Sequence, residues 1–367
     1  MRSALDIQRE RAASLARELV SHAPAGSIAS IFAGGSLGRG EVWAAAIDGK
    51  LEVYSDIDLY VVAARDDTLP ALRESAGVAA KLAASPEASF LRSPDIGVYT
   101  RADLAGQPLR PGTVELDTQH LMLYGDESIP RGLQGRSATR IPAEEGLYLI
   151  ENRLWEFAAG HSSAAGRLGR AQALKAQLDV YSAHAIVEGS FQAAFAKRAE
   201  RFRDRPPATM DARVRERVSR AFDAVRDFGA WIDGPGTDTE RDRARDALCE
   251  AWRVLAPRVL NTTGSPASLV ARRSRAGAWV DNARDVMRLQ RRLGRPFAGI
   301  ALALPLLARR SPMDALRLHA LVGTLASDGT GESRIDSHFD YVDGLTARFQ
   351  FQGSLEERVR DMHAAVS

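Results

Sequence analysis

The sequence predicts an α+β protein in two parts: a small mixed sheet with its helices over residues 1–142, then an all-α region over residues 143–367. Three observations predict this. Short apolar runs bounded by Gly, Pro and Asp recur up to about residue 125 and have the length of strands. From about Glu144 onward, apolar residues recur at helical spacing instead. A loop rich in Gly, Pro and Arg, from Pro130 to Pro142, marks the change of character.

Taken in order, residues 4–22 carry Leu5, Ala12, Leu15, Leu19 and Val20 as one helical stripe, ended by Pro24-Ala25-Gly26. Residues 27–33 read as a strand leading into the turn Gly34-Gly35-Ser36. A helix is expected from Leu37 to about Ala46, then a turn at Ile47-Asp48-Gly49-Lys50 and a strand at Leu51-Glu52-Val53-Tyr54. Ser55-Asp56-Ile57-Asp58 enters a buried strand, Leu59-Tyr60-Val61-Val62. Residues 68–84 have helical spacing, with Ser85-Pro86 as the stop. A short strand over 93–100 holds Asp95 at its start. Residues 114–118 alternate strictly, which predicts a strand with Glu115 and Asp117 on one face. Residues 121–126 close the first part as a last strand and turn.

In the second part, one helix holds Leu174, Leu178, Tyr181 and Ala185 and drifts to Val187, Phe191 and Phe195. Others are expected near 211–231 and 239–256. Another starts at the cap Ser265-Pro266, buries Trp279 and stops at Gly294, and the last begin at Ser311-Pro312 and Ser354. Trp155, Trp252 and Trp279 are expected in the core.

The 367 residues carry 49 basic and 47 acidic side chains, a net charge of +2, which makes no electrostatic case for nucleic acid or membrane. Cys249 is the single cysteine, so no intramolecular disulfide can form and a cysteine metal site is not expected. The seven histidines lack metal-ligand spacing. The N-terminus carries Asp6, Glu10 and Arg11 where a signal peptide needs apolar residues, and the longest apolar run, 299–308, is too short to span a bilayer. A cytoplasmic protein with no membrane partner is the expectation. Arg272-Arg273-Ser274-Arg275 and Arg291-Arg292 read as solvated helix faces, or as a rim for an anionic acceptor.

Chemistry concentrates between Gly34 and Leu59. Glycines at a strand-to-helix turn let a backbone approach an anion closely, and helix N-terminal amides favour negative charge. Ser36 would donate its hydroxyl to a phosphate oxygen or cap the helix. Asp56 and Asp58, two residues apart on a strand, would share a face and repel one another unless divalent cations intervene. Hard oxygen ligands of this kind suit Mg²⁺ or Mn²⁺.

Gly-Gly-Ser followed on the next strand by Ser-Asp-Ile-Asp-Leu resembles the nucleotidyltransferase superfamily typified by DNA polymerase β, over residues of roughly 27 to 125. The resemblance implies a nucleotidyltransferase domain in which Asp56 and Asp58 bind two metal ions, and Gly34, Gly35, Ser36 and Arg39 hold the nucleotide. It also implies a third carboxylate on a later strand, and Asp95 falls there as metal ligand and catalytic base. Glu115 and Asp117 are the competitors. Family members often add a basic residue from the helical domain, for which Lys175 is the candidate; its other reading is a surface pair with Asp179. The gap between turn and acidic pair is longer here than in the family, which implies a longer helix and a hairpin beside the site.

The adenylyltransferases that modify aminoglycosides have a similar plan. The implied activity is transfer of a nucleoside monophosphate, AMP from ATP first among them, to a hydroxyl of a small-molecule acceptor. The same chemistry on an RNA end or a protein side chain is the first alternative. A non-catalytic nucleotide sensor is the second, and the three carboxylates argue against it.

Overall fold

The computed structural model describes residues 3–82, 88–90, 92–131, 135–158, 166–264 and 266–273. The chain forms two compact units, one of Met1–Glu145 with Ala185–Thr237, the other of Gly146–His184 with Asp238–Ser367. The first break falls close to the expected 142/143 junction. Residues 185–237, expected in the helical half, belong to the first unit instead.

The first unit is mixed α and β, as expected. Helix α1 (Ala4–His22) begins where the Ser3 hydroxyl accepts the Asp6 amide. There follow β1 (Ile28–Ala33), α2 (Gly35–Arg39), β2 (Ala44–Ile47), β3 (Lys50–Val53), β4 (Asp58–Ala63), α3 (Leu69–Leu82), β5 (Ala88–Phe90), β6 (Asp95–Tyr99), α4 (Arg101–Ala105), α5 (Pro111–Thr118), β7 (Leu121–Gly125) and α6 (Ser128–Arg131). One sheet has the order β6-β4-β1-β7, with β1 antiparallel to both β4 and β7 and β4 parallel to β6. A smaller sheet, β2-β3-β5, carries the hairpin.

Strand periodicity sorts the larger sheet into two faces. Ile31, Ala33, Leu59 and Val61 pack with Leu15 and Leu19 of α1 and Ala76 and Ala79 of α3. Phe32 and Val62 point the other way, to Leu104, Leu116 and Ile129 on α4, α5 and α6. Each large side chain so buried contributes about 1.5–3 kcal/mol of transfer free energy. This fixes the register of β1 on β4 from Ser30 to Ala33, after an irregularity between Ile28 and Ser30.

Two expected elements differ. The helix expected over 37–46 is only the five residues of α2. Gly40 takes a left-handed conformation (φ 72°) and stops it, and the chain then forms the β2–β3 hairpin, turning through Asp48 (φ 48°) and Gly49 (φ 77°). The hairpin that the long gap implied is present; the longer helix is not. Residues 114–118, expected as a strand, lie in α5. Pro111 opens that helix, and Thr113 through Asp117 are all buried, so the alternation does not report a half-exposed strand.

The remaining helices are α7 (Glu144–Ala158), α8 (Arg167–Val187), α9 (Phe195–Asp204), α10 (Ala212–Arg226), α11 (Phe228–Ile232), α12 (Thr237–Val259) and α13 (Pro266–Arg273). Helix α8 ends before Gly189 (φ 63°), so Phe191 and Phe195 are not its continuation. In the first unit, Phe195 and Phe202 of α9 each lie 5.4 Å from Phe222 of α10. Phe228 of α11 packs 5.4 Å from Trp43 and 5.2 Å from Tyr54. In the second unit, Leu174, Tyr181, Trp155, Leu248, Cys249 and Trp252 are buried. Trp279, Arg291-Arg292 and the helices expected beyond residue 273 lie outside the described residues. Among the described residues no helix is long and apolar enough to cross a membrane.

Candidate functional site

The parallel pairing of β4 with β6 places Asp58 directly opposite Asp95, and the Asp95 amide donates to the Ile57 carbonyl at 2.8 Å. On the other side of β4 the Gly34 amide donates to the Asp58 carbonyl at 2.9 Å. The glycine turn, Asp58 and Asp95 therefore stand side by side at one end of the sheet.

Gly35 shows how close they are. Its φ is +57°, and a Cβ at that position would sit 1.9 Å from Oδ2 of Asp58. Only glycine adopts this conformation cheaply and leaves room for the carboxylate. A Cβ on Gly34 would come within 2.9 Å of both Tyr60 and Leu116, so the turn also lies flat against the aromatic face of the sheet. The amides of Gly35, Ser36 and Leu37, as the first three of α2, have no partner inside the helix.

Ser36 is the second residue of α2, and Gly34 occupies the cap position; the capping role is thereby corrected. The Ser36 Oγ is buried without a hydrogen-bond partner among the described residues. A buried hydroxyl left so is costly, and native structures seldom keep one without a reason.

Asp56 does not extend β4, which begins at Asp58. Gln8, wholly buried on α1, donates its amide to the carbonyls of Ser55 (3.1 Å) and Asp56 (2.9 Å) and draws that segment off the ladder. The Asp56 carboxylate pairs with Arg92 at 2.7 Å. Asp56 and Asp58 thus adjoin in sequence without the shared strand face that was expected. Among the described residues no three His, Cys, Asp or Glu side chains are gathered closely enough to hold a metal ion. Asp95 is exposed at the start of β6.

A row of rings runs beside these acids. Tyr60 stacks on Phe32 at 5.5 Å and on Tyr99 at 5.7 Å. The Tyr99 ring lies over Gly97, where any Cβ would meet it at 2.4 Å. Burial, then the charge of Asp58, then Tyr99, Asp95 and Glu115, push the Tyr60 phenol up and keep it protonated.

Glu115 is fully engaged. It is 9% exposed, and its two oxygens accept separately from Arg39 and from Arg198 of α9. Arg39 also donates Nε to Glu41 at 2.6 Å. Burial works against the Arg39 charge, but Glu115, Glu41 and, more weakly, Asp58 outweigh it and raise its pKa. The Arg39 guanidinium therefore braces the turn through two carboxylates.

Asp117 faces away from this cluster, buried and 3.7 Å from Arg136. Burial raises its pKa to about 6 despite that arginine. Lys175 is half-buried on α8 in the second unit, and Asp179, its expected partner, pairs with Arg153. Arg273, expected on a solvated face, is buried against Glu151 at 2.9 Å.

Sequence reasoning missed Gln8, Arg92 and Arg198. A polar residue on the apolar stripe of α1 was the available signal for Gln8; nothing local marks the other two. No protein-family model, curated protein or solved structure matches the chain.

Proposed function

We propose that the first unit is a metal-dependent nucleotidyltransferase that moves a nucleoside monophosphate, AMP from ATP first among them, onto a hydroxyl of a small acceptor. The observation that carries this reading is the register of Asp58 with Asp95, with the Gly35 backbone against the Asp58 carboxylate. It combines two acidic oxygens and a glycine turn at one sheet end, which an ordinary strand-to-helix crossover does not need.

The donor set fits Mg²⁺ or Mn²⁺ in its chemistry, because carboxylate oxygens are hard ligands. The orphaned Ser36 hydroxyl fits a phosphate oxygen as its missing acceptor. Asp58 and Asp95 would hold the metal, joined by Asp56 once its carboxylate leaves Arg92. When bound, such ions neutralise triphosphate charge and support in-line displacement.

The remaining steps belong to the chain's own backbone and side chains. The amides of Gly35 and Ser36 orient the β- and γ-phosphates. Asp95, open to solvent, accepts the proton of the acceptor hydroxyl as its oxygen bonds to the α-phosphorus. The bond from that phosphorus to the bridging oxygen breaks, and pyrophosphate leaves.

Incubation with Mg²⁺ and α-labelled NTPs against panels of aminoglycosides and other polyols, RNA and protein tests the reading. Label transfer to a small hydroxylated acceptor, lost in Asp58→Asn and Asp95→Asn, is the expected result. Transfer to RNA or protein would keep the chemistry and change the acceptor. Failure to bind any nucleotide with Mg²⁺ or Mn²⁺ would end the proposal.

A further inference from the structure

Helix α9 lacks a cap of its own. Ala194 occupies the cap position and offers no side-chain acceptor. The missing acceptor comes from Glu41, whose Oε1 takes the Phe195 amide at 2.8 Å across 154 residues of chain. A carboxylate at a helix N-terminus is favoured by both the free amide and the helix dipole. The other oxygen of Glu41 accepts from Arg39. One turn further along α9, Arg198 donates to Glu115, which in turn accepts from Arg39.

These contacts close a loop. Arg39 leads to Glu41, to the start of α9, to Arg198, to Glu115 and back to Arg39. It contains two positive and two negative side chains, all largely withdrawn from water. Arg198 is fixed besides by donating to the carbonyls of Gln192 (2.7 Å) and Ala193 (2.9 Å), with its guanidinium 4.5 Å over the Phe191 ring. Paired buried charges resist rearrangement, because opening any one contact strands its partner in a poor solvent.

We infer that this ring makes α9 a positioning element for the glycine turn: Glu115 and Arg198 set nucleotide affinity without touching the nucleotide. The inference rests on the nucleotide reading for its consequence, and on the ring alone for its mechanism. Residues 34–41 contain both the turn and two of the four members, Arg39 and Glu41. The turn is stiffened from a segment far away in sequence. Neither Glu115 nor Arg198 is then a catalytic residue.

Two readouts on the full chain separate the inference from the proposed activity. The first is amide hydrogen exchange of the peptide spanning residues 34–41. The second is the Kd for ATP with Mg²⁺, measured calorimetrically. Glu115→Gln and Arg198→Met are expected to speed exchange in that peptide by about tenfold and to weaken ATP by a similar factor. Peptides from α1 should be unchanged. The double variant should be no worse than the singles, and Arg198→Lys should recover part of the loss. If Glu115→Gln does not fold, Arg198→Lys alone still reports on the peptide.

Unchanged exchange over 34–41 in the folded variants would overturn the inference. So would additive losses in the double variant. If the wild-type chain binds no nucleotide with Mg²⁺ or Mn²⁺, yet the variants show the exchange response, the nucleotide reading falls and the ring stands.

Discussion

Each unit buries a glutamate against arginine, and the two sites differ in what surrounds them. In the second unit Glu151, 1% exposed, accepts from Arg273 at 2.9 and 3.2 Å and from the Trp252 indole at 3.2 Å. Both of these partners are themselves buried. In the first unit Glu115 is held as firmly, but its partners lead to a turn of glycines beside Asp58 and Asp95. The same pairing of charges serves cohesion in one place and placement in the other. A buried ion pair is therefore no sign of function until one asks which backbone it holds.

Breaking the two regions should separate these roles. The largest effect is expected at Asp58: Asp58→Ala should lower nucleotidyl transfer by about a thousandfold or more, with melting temperature unchanged or raised because charge repulsion is relieved. Glu151→Ala should do the reverse, costing about 3–5 kcal/mol in denaturant unfolding by breaking the buried pair that Glu151 makes with Arg273. ATP binding by the variant that remains folded should match wild type. If Glu151→Ala weakens ATP as much as Glu115→Gln does, the contrast drawn between the regions is wrong.

Asp117 sharpens the comparison through pH. Its folded pKa, raised to about 6, means that the folded state holds a proton the unfolded chain has released. Its favourable contribution is complete below the unfolded value near 4 and disappears as pH rises through 6, roughly 2–3 kcal/mol in all. Asp117→Asn should flatten the stability profile over that window, measured by urea unfolding between pH 4 and 7. The smallest effect is expected at Gln8. Gln8→Leu, which removes the amide holding the Ser55 and Asp56 carbonyls, should cost about 1 kcal/mol and show more in turnover than in melting.

Much of the first unit was legible in the sequence because its signals are local. The stripe of α1, the Asp48-Gly49 turn and the strand carrying Asp95 each declare themselves within a few residues. The Asp58–Asp95 pairing follows from two such strands lying parallel. Helix α5 was not legible, since five residues from Val114 to Thr118 satisfy a two-residue period by accident. A half-exposed strand, the natural reading of that alternation, would keep Glu115 in water. What lets it go without is Arg39, 76 residues before it, and Arg198, 83 residues after. The same distance hid the allegiance of residues 185–237, whose composition resembles that of the helices around them. Lys175 was sought as the distant cation because it stood beside a stripe. Arg198, on a helix in the first unit, donates to Glu115, which also accepts from Arg39 beside the turn.

The bond from Glu41 to the start of α9 has a temporal side. A ribosome adding residues at about 5–20 per second takes roughly 8–30 seconds to travel the 154 positions between its two ends. Through that interval the nascent bend at Gly34 has its strand but not its brace. That bend waits for a stretch made much later to emerge before it is held from both sides.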